Sequence, residues 1–288
     1  MSLREQYAFL FNVTYDDALR NQFLSEPQNL LNERGFTAEE FQPLTQGRTK
    51  GIHAEYQMRR AHYLDMFFRC FPRTSFVLTG ACKSLDPLNS FFSSTHFLNC
   101  FSGSQSFLDA FSSFLRLEVP RYTSQTPSLP DLHSYEEALY RLRTTSPVEG
   151  SLTRDAAMDH TRRLVQAPHT LLRRFTYPIT EIIEYIDYFT AGIWYRLAPL
   201  YAVAGESIAA LVIPHEALPE PLLALLMLQG EQLRVLKIKP SQYDVLAACD
   251  GTRNRNQLLE AVAAADLPRL SAWLDYCWQH RILDYFEQ

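Results

Sequence analysis

Several kinds of chemistry lack their usual residues in this sequence. It holds five cysteines, Cys70, Cys82, Cys100, Cys249 and Cys277, an odd number without a C-x-x-C pair. A disulfide framework and a thiolate zinc site are therefore not expected. The cysteines, most of them beside aromatic or aliphatic residues, read as buried reduced thiols. The eight histidines show no H-x-H, H-x-x-x-H or H-E-x-x-H spacing, so no zinc-ligand pattern is present. His160 and His169 are nine apart with Pro168 between them, which does not place both on one helix face. There is no Gly-rich phosphate loop and no nucleophile with an evident base; an independent enzyme would need a constellation such as Asp159 and His160 with a cysteine from elsewhere. No run of 18 or more apolar residues occurs, so no membrane span is expected. The opening MSLREQYAF has no apolar signal-peptide region, and a cytoplasmic location is expected. The net charge of −5 argues against a surface that is one large nucleic-acid footprint.

What is present is apolar surface in helical patterns. The 288 residues, 47% of them hydrophobic, are enough for two or three domains with proper cores. A helical N-terminal appendage is expected over residues 1–45. Leu19, Phe23 and Leu24 share a face, Pro27 suits the first turn of a helix carrying Leu30 and Leu31, and Gly35 suits its C-terminal cap. Thr37 and Glu40 resemble a capping box. A polar linker, Gln42 to Gly51, follows. An aromatic-rich helical bundle is expected over 52–145. Tyr56, Tyr63, Leu64, Phe67, Phe68 and Phe71 fall on one helix face before Pro72, and Phe107, Leu108, Phe111, Phe114 and Leu115 on another. Core packing is the preferred reading of these stripes. A Pro/Ser/Thr-rich linker, Pro120 to Asp131, leads to a short helix that could pack back on the bundle.

The third region, 155–288, differs. Ile179, Ile182, Ile183, Ile186 and Phe189 have helix spacing. LYAVAG and SIAALVIP read as strands joined by a turn at Gly205-Glu206. The apolar LPEPLLALLMLQG reads as a helix, and EQLRVLKIKP as the third strand. Helices follow at Ser241–Cys249, Asn254–Ala264 and Pro268–Gln279, with Asp250-Gly251 as the break between the first two. The expected fold is α+β and mainly α: an N-terminal helical domain, then a C-terminal winged-helix-like domain with a small antiparallel three-stranded sheet, spanning about 198–288.

Two partners suit such a module. A DNA reader needs a basic recognition helix, yet Pro240 to Gln288 holds four Lys/Arg against seven Asp/Glu. A DNA-binding regulator is therefore the alternative and nucleic acid the less favoured partner. A peptide reader needs an open strand edge and an amphipathic helix, so that an extended peptide adds to the sheet. Arg234, Val235, Leu236, Lys237, Ile238 and Lys239 can supply the edge; Leu270, Trp273, Leu274 and Cys277 can line the helix side of the groove.

LKIKPSQYDVLAACDGTRNRNQLLEAV with LSAWLDYCWQHRIL resembles the PqqD-type peptide-recognition element of enzymes that modify ribosomally made peptides. A second resemblance covers more chain. Arg60 and Tyr63 before Phe71-Pro72, Pro127 and Leu129-Pro130-Asp131 before Tyr135-Glu136, and Tyr177-Pro178 are similar in order and spacing to the HvfC/BufC group. Together the two span roughly residues 55 to 285. The resemblance implies a non-catalytic partner subunit, in about a 1:1 complex, of a multinuclear non-haem iron oxidase with a TIM-barrel fold. The partner subunits of methanobactin and 3-thiaglutamate biosynthesis are the analogues. It further implies that the chain binds a precursor or carrier peptide and presents its C-terminal cysteine for oxidative modification, with the iron held by the partner and no cofactor or metal on this chain. Cysteine β-carbon excision is the specific reaction implied. Candidate contacts to the enzyme or an acidic peptide are Arg59, Arg60, Arg162, Arg163, Arg173 and Arg174, with a solvated helix face as the default. Phe91, Phe92, Phe97 and Phe101 are a further candidate patch, with core packing preferred.

Overall fold

A computed structural model describes residues 3–15, 17–37, 39–40, 49–101, 105–144, 157–194, 213, 216–229, 232–260, 262–263 and 265–286. The chain divides into two compact units, Met1–Leu129 with Asp187–Val212, and Pro130–Ile186 with Ile213–Gln288. The fold is mainly α with two small antiparallel three-stranded sheets.

The N-terminal helices of the first unit follow their local signals. They are α1 (Leu3–Tyr15), α2 (Asp17–Ser25) and α3 (Pro27–Glu33). Pro27 opens α3, where its missing N–H costs nothing. Gly35 ends the turn at φ +79°, a conformation that favours glycine, and Phe36 N–H returns to Leu31 C=O at 3.0 Å. Phe9, Val13, Phe23, Leu30, Leu31 and Phe36 form a core of their own. Leu24, read as a partner of Phe23, is exposed instead. Glu40 reaches back to Thr37 N–H (2.8 Å) and also accepts from Gln6 Nε2 (2.8 Å). The Thr37 amide, first among these donors, holds the Glu40 carboxyl down at about 2.

The aromatic bundle comprises α4 (Thr49–Cys70), α5 (Pro72–Cys82), α6 (Asp86–Asn89), α7 (Thr95–Phe101) and α8 (Phe107–Glu118). α4 begins inside the stretch read as a linker. Pro72 ends one helix and opens the next. Ser106 caps α8 by accepting the Asp109 N–H. Phe67, Phe71, Phe91, Phe97 and Phe111 are fully buried, and Phe91 meets Phe67 and Phe111 edge-on at 5.4 and 5.2 Å. Phe91, Phe92 and Phe97 are thus core, which removes them as an exposed patch; the side chain of Phe101 lies outside the described residues.

The second unit holds both sheets. Its elements are α9 (Leu129–Thr144), β1 (Arg163–Gln166), β2 (Thr170–Phe175), α10 (Ile179–Trp194, which continues into the first unit), β3 (Leu222–Gln229), β4 (Gln232–Lys237), α11 (Pro240–Ala247), β5 (Asp250–Asn254), α12 (Arg255–Glu260), α13 (Leu267–Gln279) and β6 (Leu283–Tyr285). One sheet has the order β2–β3–β4 and the other β5–β1–β6. α9, predicted to pack back on the bundle, falls almost wholly in this unit. Its Asp131 accepts the N–H groups of Thr176 and Tyr177, just before α10. The Leu129-Pro130-Asp131 and Tyr177-Pro178 cues therefore meet in space.

Two expectations are corrected. LLALLMLQ is the central strand β3, not a helix. Leu225 and Met227 belong to the second unit's core, while Ala224 and Leu226, on the opposite face, are also fully buried. A strand covered on both faces is apolar throughout, and its periodicity cannot be told from that of a buried helix. The Cys-Asp-Gly-Thr stretch is not a bare break between helices. It enters β5, which pairs with β1 across a register shift, and Gly251 at φ +88° sits in that irregular stretch rather than at the α11 cap, Ala248. The two strands expected within 200–214 lie outside the described residues apart from Ile213.

Candidate functional site

The candidate edge is β4. Its register with β3 pairs Gln229 with Gln232, Met227 with Arg234 and Leu225 with Leu236. Ile238 N–H donates to Leu223 C=O at 2.9 Å. In an antiparallel ladder, hydrogen-bonded pairs alternate along the strand. Stepping back from Ile238, the backbone polar groups of Leu236, Arg234 and Gln232 therefore turn toward β3. Those of Leu233, Val235 and Lys237 turn outward, and no strand among the described residues pairs with them.

The sheet's other outer strand is less available. Thr170 N–H returns to Ala167 C=O (3.0 Å), and beyond the strand's end Thr176 and Tyr177 N–H are held by Asp131. Burial raises the Asp131 carboxyl above its ordinary range, against the lowering effect of those two amides.

Side chains along β4 alternate between faces. Leu236 packs on the core and Ile238 is buried in it. Arg234, Lys237 and Lys239 are exposed, and Leu233 and Val235 are half-buried. Lys239 precedes α11, and its N–H donates to Gln242 Oε1 at 2.9 Å. The edge thus offers backbone groups unpaired among the described residues, two partly exposed apolar side chains and three exposed cations.

The helix side of the expected groove differs from its sequence reading. Leu270, Leu274 and Cys277 are buried at 1%, 0% and 0% exposure in one core with Leu246, Cys249 and Trp278. They hold α13 in place and cannot line a groove. Helical spacing shows that these residues share a face but not which way the face points. Two aromatic side chains lie off that buried face: Trp273, half-buried, stacks on the exposed Tyr276 (5.4 Å, 13°), and Tyr276 lies 4.1 Å from His280, just past the helix. Trp273 is partly buried against the core, and its indole Nε1 has no hydrogen-bond partner among the described residues.

Cys249 and Cys277 are buried thiols; burial pushes Cys249 up to about 12 and Cys277 higher still. Neither has the depressed pKa of a nucleophilic thiolate. Asp159 Oδ1 accepts from Thr161 N–H and Oγ1 at 2.9 and 2.7 Å, so this carboxylate caps its own turn. Among the described residues no three His, Cys, Asp or Glu side chains group as metal ligands.

The basic pairs lie on different elements. Arg60 donates to Asn89 Oδ1 at 2.7 Å, and Arg59 is exposed on α4. Arg162 lies over the Tyr285 ring at 3.9 Å. Arg163 is on β1, and Arg173 and Arg174 are on β2, so the solvated helix face assumed for them is absent. The helix that would read DNA, α12, has six residues, with Leu258 and Leu259 buried; Arg255 bonds to Ser271 and Asp275. No helix among the described residues is long and apolar enough to cross a membrane. No family model and no curated protein matches this sequence.

Proposed function

We propose that this chain is a peptide-binding, non-catalytic subunit. An extended segment of a ribosomally made precursor or carrier peptide adds to the outer edge of β4, and the chain presents the peptide's C-terminal cysteine to an iron-dependent TIM-barrel oxidase. The observation that carries the binding half is the outer edge of β4, which pairs with no strand among the described residues and has the backbone groups of Leu233, Val235 and Lys237 turned outward. The oxidase half rests on the HvfC/BufC resemblance. Gripping the peptide away from its reactive end makes delivery of the cysteine intramolecular, which raises its effective concentration at the iron site.

Recovery of the tagged full-length chain from its native cells tests the assembly. A near-equal amount of an iron-containing barrel protein is expected, together with a small peptide identified by mass spectrometry. Recovery of the chain alone, free of iron and peptide, would overturn the proposal. Val235→Pro tests the edge directly. It removes an outward N–H and no ladder bond to β3, so the fold is expected to survive while peptide affinity falls about tenfold, the worth of one lost main-chain hydrogen bond with a steric contribution from the ring.

A further inference from the structure

The side chains along β4 specify more than an open edge. Arg234, Lys237 and Lys239 are exposed, and none pairs with a carboxylate among the described residues. They stand on one strand edge of a chain whose net charge is −5. Strand alternation places Arg234 on one face of the sheet and Lys237 on the other, with Lys239 in phase with Lys237. Between the first two lie Val235 and Leu236, both half-buried.

Resting on the strand-addition proposal above, we infer that the segment β4 takes is acidic, with the pattern acid–apolar–apolar–acid. The acids stand opposite Arg234 and Lys237, and the apolar residues opposite Val235 and Leu236. The pattern reads the same in both directions, so it holds for parallel and antiparallel addition alike. Directly opposed charges and apolar pairs across a strand pair are each favourable, whereas like charges oppose pairing. Cations on an edge strand also serve a second purpose, discouraging the edge from pairing with other copies of the chain. The two roles separate by experiment, because only the first makes peptide choice depend on the sign of the edge charge.

The probe is a display library of random peptides of roughly ten residues, long enough to span the edge, selected on the full-length chain and on three variants. These are Val235→Pro, Arg234→Gln/Lys237→Gln and Arg234→Glu/Lys237→Glu, each checked for an unchanged circular dichroism spectrum. The wild type is expected to enrich the acid–apolar–apolar–acid pattern. Replacing both acids of an enriched peptide by Gln or Asn is expected to weaken it roughly tenfold, as for two exposed ion pairs of about 0.7 kcal/mol each. That difference should shrink as salt rises. The charge-reversed variant should enrich Lys or Arg at the same spacing, and the neutral variant neither sign. If enriched peptides depend on Val235 but show no acidic preference, or if charge reversal leaves the preference unchanged, the charge inference is overturned and strand addition stands. If no peptide is enriched, or binding ignores Val235→Pro, strand addition itself falls and the inference with it.

Discussion

Replacing Gly251 by alanine tests how β5 is built. Between the pairs Arg163–Asn254 and Val165–Asp250, β1 advances two residues while β5 advances four, so β5 carries the irregularity. Gly251 stands there at φ +88°, and a Cβ would lie 2.6 Å from Phe286 Cδ2 and 2.8 Å from its Cγ. Two costs follow. An L-residue held at positive φ costs about 1–2 kcal/mol. The Phe286 ring, 45% exposed, can swing away, and forcing it off its rotamer costs about 0.5–1.5 kcal/mol. Gly251→Ala is therefore expected to lose about 2–3 kcal/mol, and the same change in a Phe286→Ala background only the backbone share of about 1–2 kcal/mol. Urea unfolding in a Trp194→Phe background measures this, because emission then comes from Trp273 and Trp278, both in the second unit. A loss below about 0.5 kcal/mol, within the range of an ordinary surface change, would refute the placement of Gly251. An equal loss in both backgrounds would refute the role of the ring.

Leu274→Ala, at a site fully buried in the second unit's core, is expected to cost about 2–5 kcal/mol in stability and, where the chain still folds, to leave peptide affinity unchanged. Lost affinity at full stability would return the residue to the groove. The Glu40 carboxyl, held down at about 2 against an ordinary 4.5, stabilises the N-terminal helices fully above the unfolded value. That stabilisation should fade as pH falls from about 4.5 through about 2. Glu40→Gln should flatten acid unfolding over that window, followed by near-ultraviolet circular dichroism of the packed Phe9, Phe23 and Phe36; an unchanged profile would count against the Thr37 contact. Cys249 and Cys277, buried and raised in pKa, should react with a thiol reagent at pH 8 only as fast as the second unit opens, and at once in denaturant. Fast labelling of either in the native protein would contradict their burial.

Where one residue's own backbone preference decides, sequence and structure agree: Pro27 at the start of α3, Gly35 after its end, the Thr37–Glu40 contact and the end of α4 before Pro72. The centres of the aromatic stripes, Leu64 to Phe71 and Phe111 to Leu115, were equally legible as core, because side chains of that size leave water wherever a helix face permits. Tyr63, Phe107 and Leu108 at their ends are half-buried, and the side chain of Tyr56 lies outside the described residues. The candidate site was legible only in part. β4 stands where its alternating pattern put it, since one of its faces meets the core and the other is less covered. Leu270, Leu274 and Cys277 were placed on the right helix face, but that face turns inward. Trp273, expected beside them, is half-buried; its stacking on Tyr276 and the contact of Tyr276 with His280 were not anticipated, although their spacing of three and four residues was there to be seen.

By itself, then, the sequence determined helix ends, the mainly helical class, the two apolar stripes of the bundle and one edge strand, all of which depend on local backbone preference or on amphipathic period. Tertiary structure alone decided that LLALLMLQ extends rather than coils, because only neighbours on both faces and both edges make an all-apolar strand stable. Pairing with β1 likewise decided that Asp250–Asn254 is a strand, since five residues with two polar ends and a glycine carry no strand pattern of their own.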